Sequence, residues 1–284
     1  MAGAIRPLSP RAALALPLGL FFLAFVAAPL ALLAFVSLHG DAGQPALGFG
    51  QYAKFLGDGV DRAVRGDTLV LGVQVVVLSL VIGFPLAYLY VQAPARWQSP
   101  LLLLIILPLL TSSVVRTFAW VAILGRQGIV NSALLQLGWI AEPLRLLYTP
   151  GAVAVALAQI ELPLMVLPLI TALMNIDPNL RQASLALGAG HWRTFLRITL
   201  PLSMPGLLAG GLLVYASSVS AFVTQALVGG GQHLFMPAYM YQQAIQANNY
   251  PFAAAIAMLL LVCVLALVMA VNALGRRSRG FVHV

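Results

Sequence analysis

Six apolar stretches, at about 12–37, 68–91, 100–124, 151–174, 204–228 and 251–274, constrain this chain more than any other feature. Each offers roughly the 17–25 residues that a helix needs to cross a bilayer. Backbone amides in lipid must find partners within their own segment, so such runs suit helices. Strands of a membrane barrel would alternate apolar and polar residues, and these runs do not. Of the 284 residues, 61% are hydrophobic and 8% are charged. A soluble domain usually carries about 25% charged residues. The charges are too few to cover a water-facing surface, so the expected fold is an all-α membrane protein with about six transmembrane helices.

The segments between the runs set an orientation. With the N-terminus inside, the inner segments hold Arg6, Arg11, Arg96, Arg181, Arg193, Arg197, Arg276, Arg277 and Arg279. The outer segments hold Lys54, Arg62, Arg65, Arg126 and Arg145, while Arg116 falls inside the third run. Basic residues concentrate on the cytoplasmic side, so both termini and residues 175–203 are expected in the cytoplasm. The first run is long for a signal-peptide core, and a retained helix is expected there. The chain divides into 1–67 (first helix and outer loop), 68–274 (the main membrane domain) and 275–284 (a basic tail).

Several function classes find no support. The net charge of +8 comes without a basic stripe or a nucleic-acid recognition motif. Cys263 is the only cysteine, so no intramolecular disulfide is possible. His39, His191, His233 and His283 are scattered without metal-ligand spacing, and no nucleophile–base pair stands out. A phosphate-cradling loop needs Gly, four residues, then Gly-Lys-Ser/Thr, and the one lysine is Lys54 in an outer loop. No catalytic residue, metal site or ATP site is expected in this chain.

The segment 175–203 is the most informative. Asp177-Pro178 punctuates the end of the fourth run, since the residue before a proline avoids helical geometry. Asn179 is expected to cap a short helix over 180–187, and Gly188 to end it with a left-handed turn. A second short helix, about 191–198, is expected to run up to Pro201. Such a helix–Gly–helix knuckle offers Leu185, Leu187, Phe195 and Leu196 as apolar anchors, with Arg181, Arg193 and Arg197 as a charged rim. The bland alternative is an interfacial loop with lipid-facing arginines.

From Gln182-Ala183-Ser184 through Gly188 to Ile198-Thr-Leu200-Pro201, the segment resembles the cytoplasmic EAA loop of binding-protein-dependent ABC importer permeases. That pattern reads Glu-Ala-Ala, three residues, Gly, nine residues, Ile, one residue, Leu-Pro. Gln182 and Ser184 depart from it, and the missing carboxylate removes a potential charge pair. Leu107-Pro108, Thr111-Ser112-Ser113, Arg116, Gly125, Asn131, Leu147-Tyr148-Thr149-Pro150, Leu162-Pro163 to Pro168, and Pro201 to Pro205-Gly206 are similar to spermidine/putrescine-type permeases. The similarity covers about 68–274. It implies a type I importer (MetI-like) permease fold. It implies ATPase docking through Arg181, Gln182, Ala183, Ser184, Leu187, Gly188, Ala189, Phe195, Arg197, Ile198 and Pro201. It also implies a cytoplasmic ATPase dimer carrying ATP and Mg, a second permease subunit and an external solute-binding protein. Polyamine is the implied cargo; aminoalkylphosphonates, opines and other small solutes remain open, as does an ATP-independent secondary transporter or channel.

Pathway candidates come from polar residues in the runs. Charges at mid-membrane cost about 2.5–3.5 kcal/mol on insertion scales and usually face protein or water. Arg116 and Glu161 qualify, as an ion pair or as solute contacts. Ser113, Arg116, Thr117 and Trp120 share one face by helical spacing. Gly206, Gly210, Ser217, Ser220 and Thr224 make a small or polar stripe; the glycines suit close packing, and the hydroxyls suit either packing or the passage. Gln159, Glu161 and Pro163 are expected to interrupt the fourth helix. Tyr239, Tyr241, Gln242, Gln243, Asn248, Asn249 and Tyr250 offer either partner contacts or interfacial anchors.

Overall fold

The computed structural model describes residues 17–40 and 47–279, with side chains as far as residue 273. Arg6, Arg11, His283 and the side chains of Arg276, Arg277 and Arg279 lie outside that range. The described residues form helices and turns without a strand. The helices are α1 Pro17–Ser37, α2 Gly50–Gly57, α3 Gly59–Gln92, α4 Ala95–Ile106, α5 Ser113–Leu124, α6 Ile129–Gln136 and α7 Pro150–Met174. After these come α8 Pro178–Ala186, α9 His191–Ser220, α10 Phe222–Gly229, α11 Met236–Tyr241 and α12 Tyr250–Arg279. Among the described residues, six segments are long and apolar enough to cross a membrane: α1, α3, Ser113–Gln136, α7, α9 and the Tyr250–Ala273 part of α12.

Four boundaries differ from the sequence expectation. The second run starts at Gly59 rather than 68, because nothing in the polar stretch breaks a helix and Asp61 in its first turn complements the helix dipole. The third run is not one helix. After α4 the chain tightens into a 3₁₀ turn, Leu107–Leu110, becomes extended at Thr111, and restarts at Ser113. Pro108 supplies no amide to continue the ladder, and Thr111 Oγ1 donates to its carbonyl at 2.9 Å. The fourth run keeps helical form through Pro163 and Pro168, so the expected interruption is absent. The fifth run breaks at Ala221, where ψ is 69°. Gln225 Nε2 fills the gap by donating to the Ser218 carbonyl at 2.8 Å.

The chain forms two compact units. One comprises the described residues up to Asp58 with Met240–Leu261; the other comprises Gly59–Tyr239 and the described residues from Val262. Within the first, Phe55 is fully buried and packs edge-on against Phe252, with ring centroids 6.1 Å apart. Ser37 Oγ and the Tyr52 hydroxyl share a 2.6 Å hydrogen bond.

The second unit is built around α7. Val153, Leu157, Met165, Val166, Leu169 and Leu173 are all buried, which suits a helix that is apolar on every side. Against it pack Leu71, Val75, Phe84 and Ala87 of α3 and Val214 of α9. Ser79 Oγ of α3 donates to the Ala158 carbonyl of α7 at 3.2 Å. At Gly206, α9 packs tightly against α7. A Cβ there would lie 2.5 Å from both the Pro168 oxygen and the Ala172 Cβ. The close-packing reading of the Gly206/Gly210 pair is therefore the one the contacts support.

Candidate functional site

The segment after α7 folds into a two-armed knuckle. Asp177 caps α8: its carboxylate accepts from the Asn179 amide at 2.9 Å, and Pro178 takes the first helical position. The cap is thus Asp177, and Asn179 lies inside the first turn. At the other end Gly188 has φ +80°. The Gly188 amide donates to the Leu185 carbonyl and the Ala189 amide to the Ser184 carbonyl, at 3.0 and 3.1 Å. This is a Schellman end, in which glycine at the left-handed position lets two orphan carbonyls be satisfied.

The second arm is not a separate helix. It starts at His191, loosens into a π-helical turn over Phe195–Thr199, and continues through Pro201 as α9. The arms are joined by a 2.9 Å hydrogen bond between Ser184 Oγ and Thr194 Oγ1. Ser184 stands where the importer pattern has alanine, and its hydroxyl makes this link.

The knuckle is seated on the far end of α3. The Phe195 ring packs edge-on to Phe84 and Tyr88, with centroids 5.4 and 5.8 Å away, and stacks on Trp192 at 5.6 Å. The Arg181 guanidinium lies 5.7 Å from the Tyr88 ring centroid, a cation–π contact. Its Nε and Nη2 are buried without a hydrogen-bond acceptor among the described residues. Phe195 and Arg181 therefore hold the knuckle to α3 instead of projecting from it. What projects is Leu187, 89% exposed, and Trp192, 72% exposed. Gln182, Ala183, Leu185, Arg193, Leu196 and Arg197 are also exposed, whereas Ala189 and Ile198 are half-buried.

A polar layer crosses the second unit midway along α7. Pro163 removes one amide from the helical ladder. Arg116 Nη1, from α5, donates to the nearby Ile160 carbonyl at 2.9 Å. One turn further along α5, Trp120 Nε1 donates to Gln159 Oε1 at 3.1 Å. Glu161 is 8% exposed, and the Ser217 hydroxyl and Arg116 guanidinium are the polar groups that act on its carboxylate. Arg116 thus meets α7 through a backbone carbonyl, and Glu161 engages α9.

The remaining candidates separate. Thr117 and Thr224 are buried and share a 2.8 Å hydrogen bond between α5 and α10. The break at Ala221 takes Thr224 off the stripe expected with Ser217 and Ser220. The Ser220 hydroxyl bonds back to the Ala216 and Ser217 carbonyls at 2.9 and 3.1 Å. Ser113 is exposed at the start of α5.

At the opposite end from the knuckle, residues 125–149 are stapled by Asn131, which is fully buried. Its Nδ2 donates to the Gly125 and Leu144 carbonyls, and its Oδ1 accepts from the Leu144 amide. The staple borders an open cavity of about 470 Å³ lined by Leu124, Arg126, Arg145, Leu146, Leu147 and Tyr148. Arg145 donates to Gln232 Oε1. Sequence reasoning gave Gln225 no role, although a glutamine in an apolar run was a signal that a backbone group there needed a partner.

Comparison with known proteins bears on this architecture. Residues 2–280 match the family described as the binding-protein-dependent transport system inner membrane component. The spermidine/putrescine transport system permease protein PotB of Salmonella typhimurium (strain SL1344) is 38% identical over 176 residues, 62% of this chain and 61% of that protein. PotB of Escherichia coli (strain K12) is 38% identical over the same length, which is 64% of that protein. The alignment therefore spans under two thirds of these curated relatives. The fold is like that of a chain of a bacterial alginate ABC transporter, crystallised in complex with an alginate pentasaccharide-bound periplasmic protein. There the TM-score is 0.75 at 22% identity, covering 93% of each chain.

Proposed function

The chain belongs to the family of binding-protein-dependent transport system inner membrane components, and from this membership we propose that it is a permease subunit of an ATP-driven importer. It sits in the inner membrane as a multi-pass protein, with the knuckle and both termini in the cytoplasm. A separate ATPase dimer with ATP and Mg grips the knuckle, a second permease subunit completes the passage, and a solute-binding protein delivers cargo outside. The cargo is a polyamine; this rests on the 38% identity to the spermidine/putrescine permeases.

One observation carries the transport reading: a two-armed knuckle, its arms joined by a hydrogen bond, with its tip, Leu187, 89% exposed and its base seated on α3. A lever of this kind passes the closure of a gripping partner into α9 and α3 as a rigid-body movement. Glu161, Arg116, Trp120 and Ser217 form the polar layer that a solute would meet, because buried ionisable groups in a membrane face a cavity or a partner. The test is uptake of labelled spermidine and putrescine by cells with and without the chain. Loss of uptake that returns with the gene supports the reading. Unchanged polyamine uptake, together with loss of uptake of another solute, assigns a different cargo to the same machine.

A further inference from the structure

The charge on the exposed knuckle is one-sided. Residues 178–203 hold Arg181, Arg193 and Arg197 and no Asp or Glu. The acid just before them, Asp177, is committed to the Asn179 amide. Arg181 is withdrawn onto the Tyr88 ring. Arg193 and Arg197 are exposed four residues apart, on the turns that start α9. Trp192, 72% exposed, precedes Arg193 in the chain, and the tip residue Leu187 is 89% exposed. Two like charges in this position repel each other unless a partner neutralises them.

We propose that the surface receiving the knuckle is an apolar cleft with an acidic rim on the cytoplasmic ATPase. Leu187 and Trp192 enter the cleft, and carboxylates of the ATPase pair with Arg193 and Arg197. The inference rests on the docking reading above and names the chemistry of that partner. Charge complementarity carries it: a cleft edged with Lys or Arg would be repelled, and a neutral cleft would leave two guanidiniums unpaired beside a desolvated contact. The shape favours a cleft over a lipid surface. The exposed apolar groups are spread over the projecting tip and both arms, Leu180 and Leu185 on α8 and Trp192 and Leu196 on α9, so a surface that encloses the knuckle covers them all.

The test uses the full complex in nanodiscs, with retention of the ATPase on the tagged chain measured as NaCl rises from about 50 to about 500 mM, where screening of exposed pairs becomes strong. Wild type should lose the ATPase steeply, with apparent affinity falling tenfold or more. The double variant Arg193→Glu/Arg197→Glu should bind poorly at low salt, and Arg193→Lys/Arg197→Lys should keep most of the binding and the salt dependence. Leu187→Ser should weaken retention about equally at every salt concentration. Each variant is compared by melting temperature to show that it is folded. If Leu187→Ser loses the ATPase while the double Glu variant holds it as wild type does, the acidic rim is overturned and the docking reading stands. The acidic rim also falls if the defect of the double Glu variant occurs only in anionic nanodiscs and vanishes in neutral ones, because the arginines then serve lipid. If wild type retains no ATPase at any salt concentration, both the docking reading and the acidic rim fall.

Discussion

At Gly188 the backbone has φ +80°, and a Cβ built there meets nothing within 4 Å. Any penalty for a larger residue is therefore in the backbone and not in packing. A residue with a Cβ in the left-handed region costs about 1–2 kcal/mol, and asparagine is tolerated better than most. At equal expression, uptake should fall in the order wild type, Gly188→Asn, Gly188→Ala; an alanine variant equal to wild type would show that the turn does not matter. Gly206 is the opposite case. Its Cβ position is 2.5 Å from the Pro168 carbonyl oxygen, a backbone atom of a buried helix. Gly206→Ala should destabilise by about 1–3 kcal/mol, the usual range for overpacking, read as a lower melting temperature in detergent. Both glycines were legible in the sequence, one from its place after a capped helix and the other from its spacing to Gly210. Less legible was which neighbour capped that helix. Asp177 and Asn179 are both good cap residues, and only the 2.9 Å bond to the Asn179 amide distinguishes them.

At the scale of elements, helical arithmetic held only where the helix was unbroken. Ser113, Arg116, Thr117 and Trp120 were placed on one face, and three of them do make lateral bonds from α5. The stripe Ser217, Ser220 and Thr224 dissolved because the chain breaks at Ala221, where no proline or glycine gives warning. The break at Thr111–Ser112 lies inside the run at 100–124, although Pro108 and the polar trio Thr111-Ser112-Ser113 were local signals. These placements separate two classes of polar residue. Arg116→Leu should remove the side-chain bond to the Ile160 carbonyl and the positive charge beside buried Glu161, and cost about 1–3 kcal/mol, with a lower melting temperature and less uptake. Ser220→Ala removes a hydroxyl that bonds only to its own helix, and should stay within about 0.5 kcal/mol of wild type. Across the knuckle, Ser184→Ala, Thr194→Val and the double variant form a cycle. A coupling of about 0.5–1.5 kcal/mol is expected for one such hydrogen bond, and zero coupling would remove the hydroxyl link from the account.

At the scale of the whole molecule, the number of membrane-length helices was readable because apolar length is a direct consequence of bilayer thickness. The orientation expected from where the arginines fall is open to direct measurement. With Cys263→Ser as background, Leu187→Cys should react with an impermeant maleimide only after cells are opened. Trp139→Cys, 75% exposed in the segment stapled by Asn131, should react in intact cells. The reverse pattern would invert the topology. The central claim, that the knuckle is the grip of a separate ATPase, is tested most directly by purifying the tagged chain from its native membranes beside Gly188→Asp and assaying bound ATPase. Wild type should bring down an ATPase whose activity responds to solute, and the variant, equally well folded, should bring down far less or an uncoupled one. A stable, folded wild type that carries no ATPase under mild conditions would contradict the account.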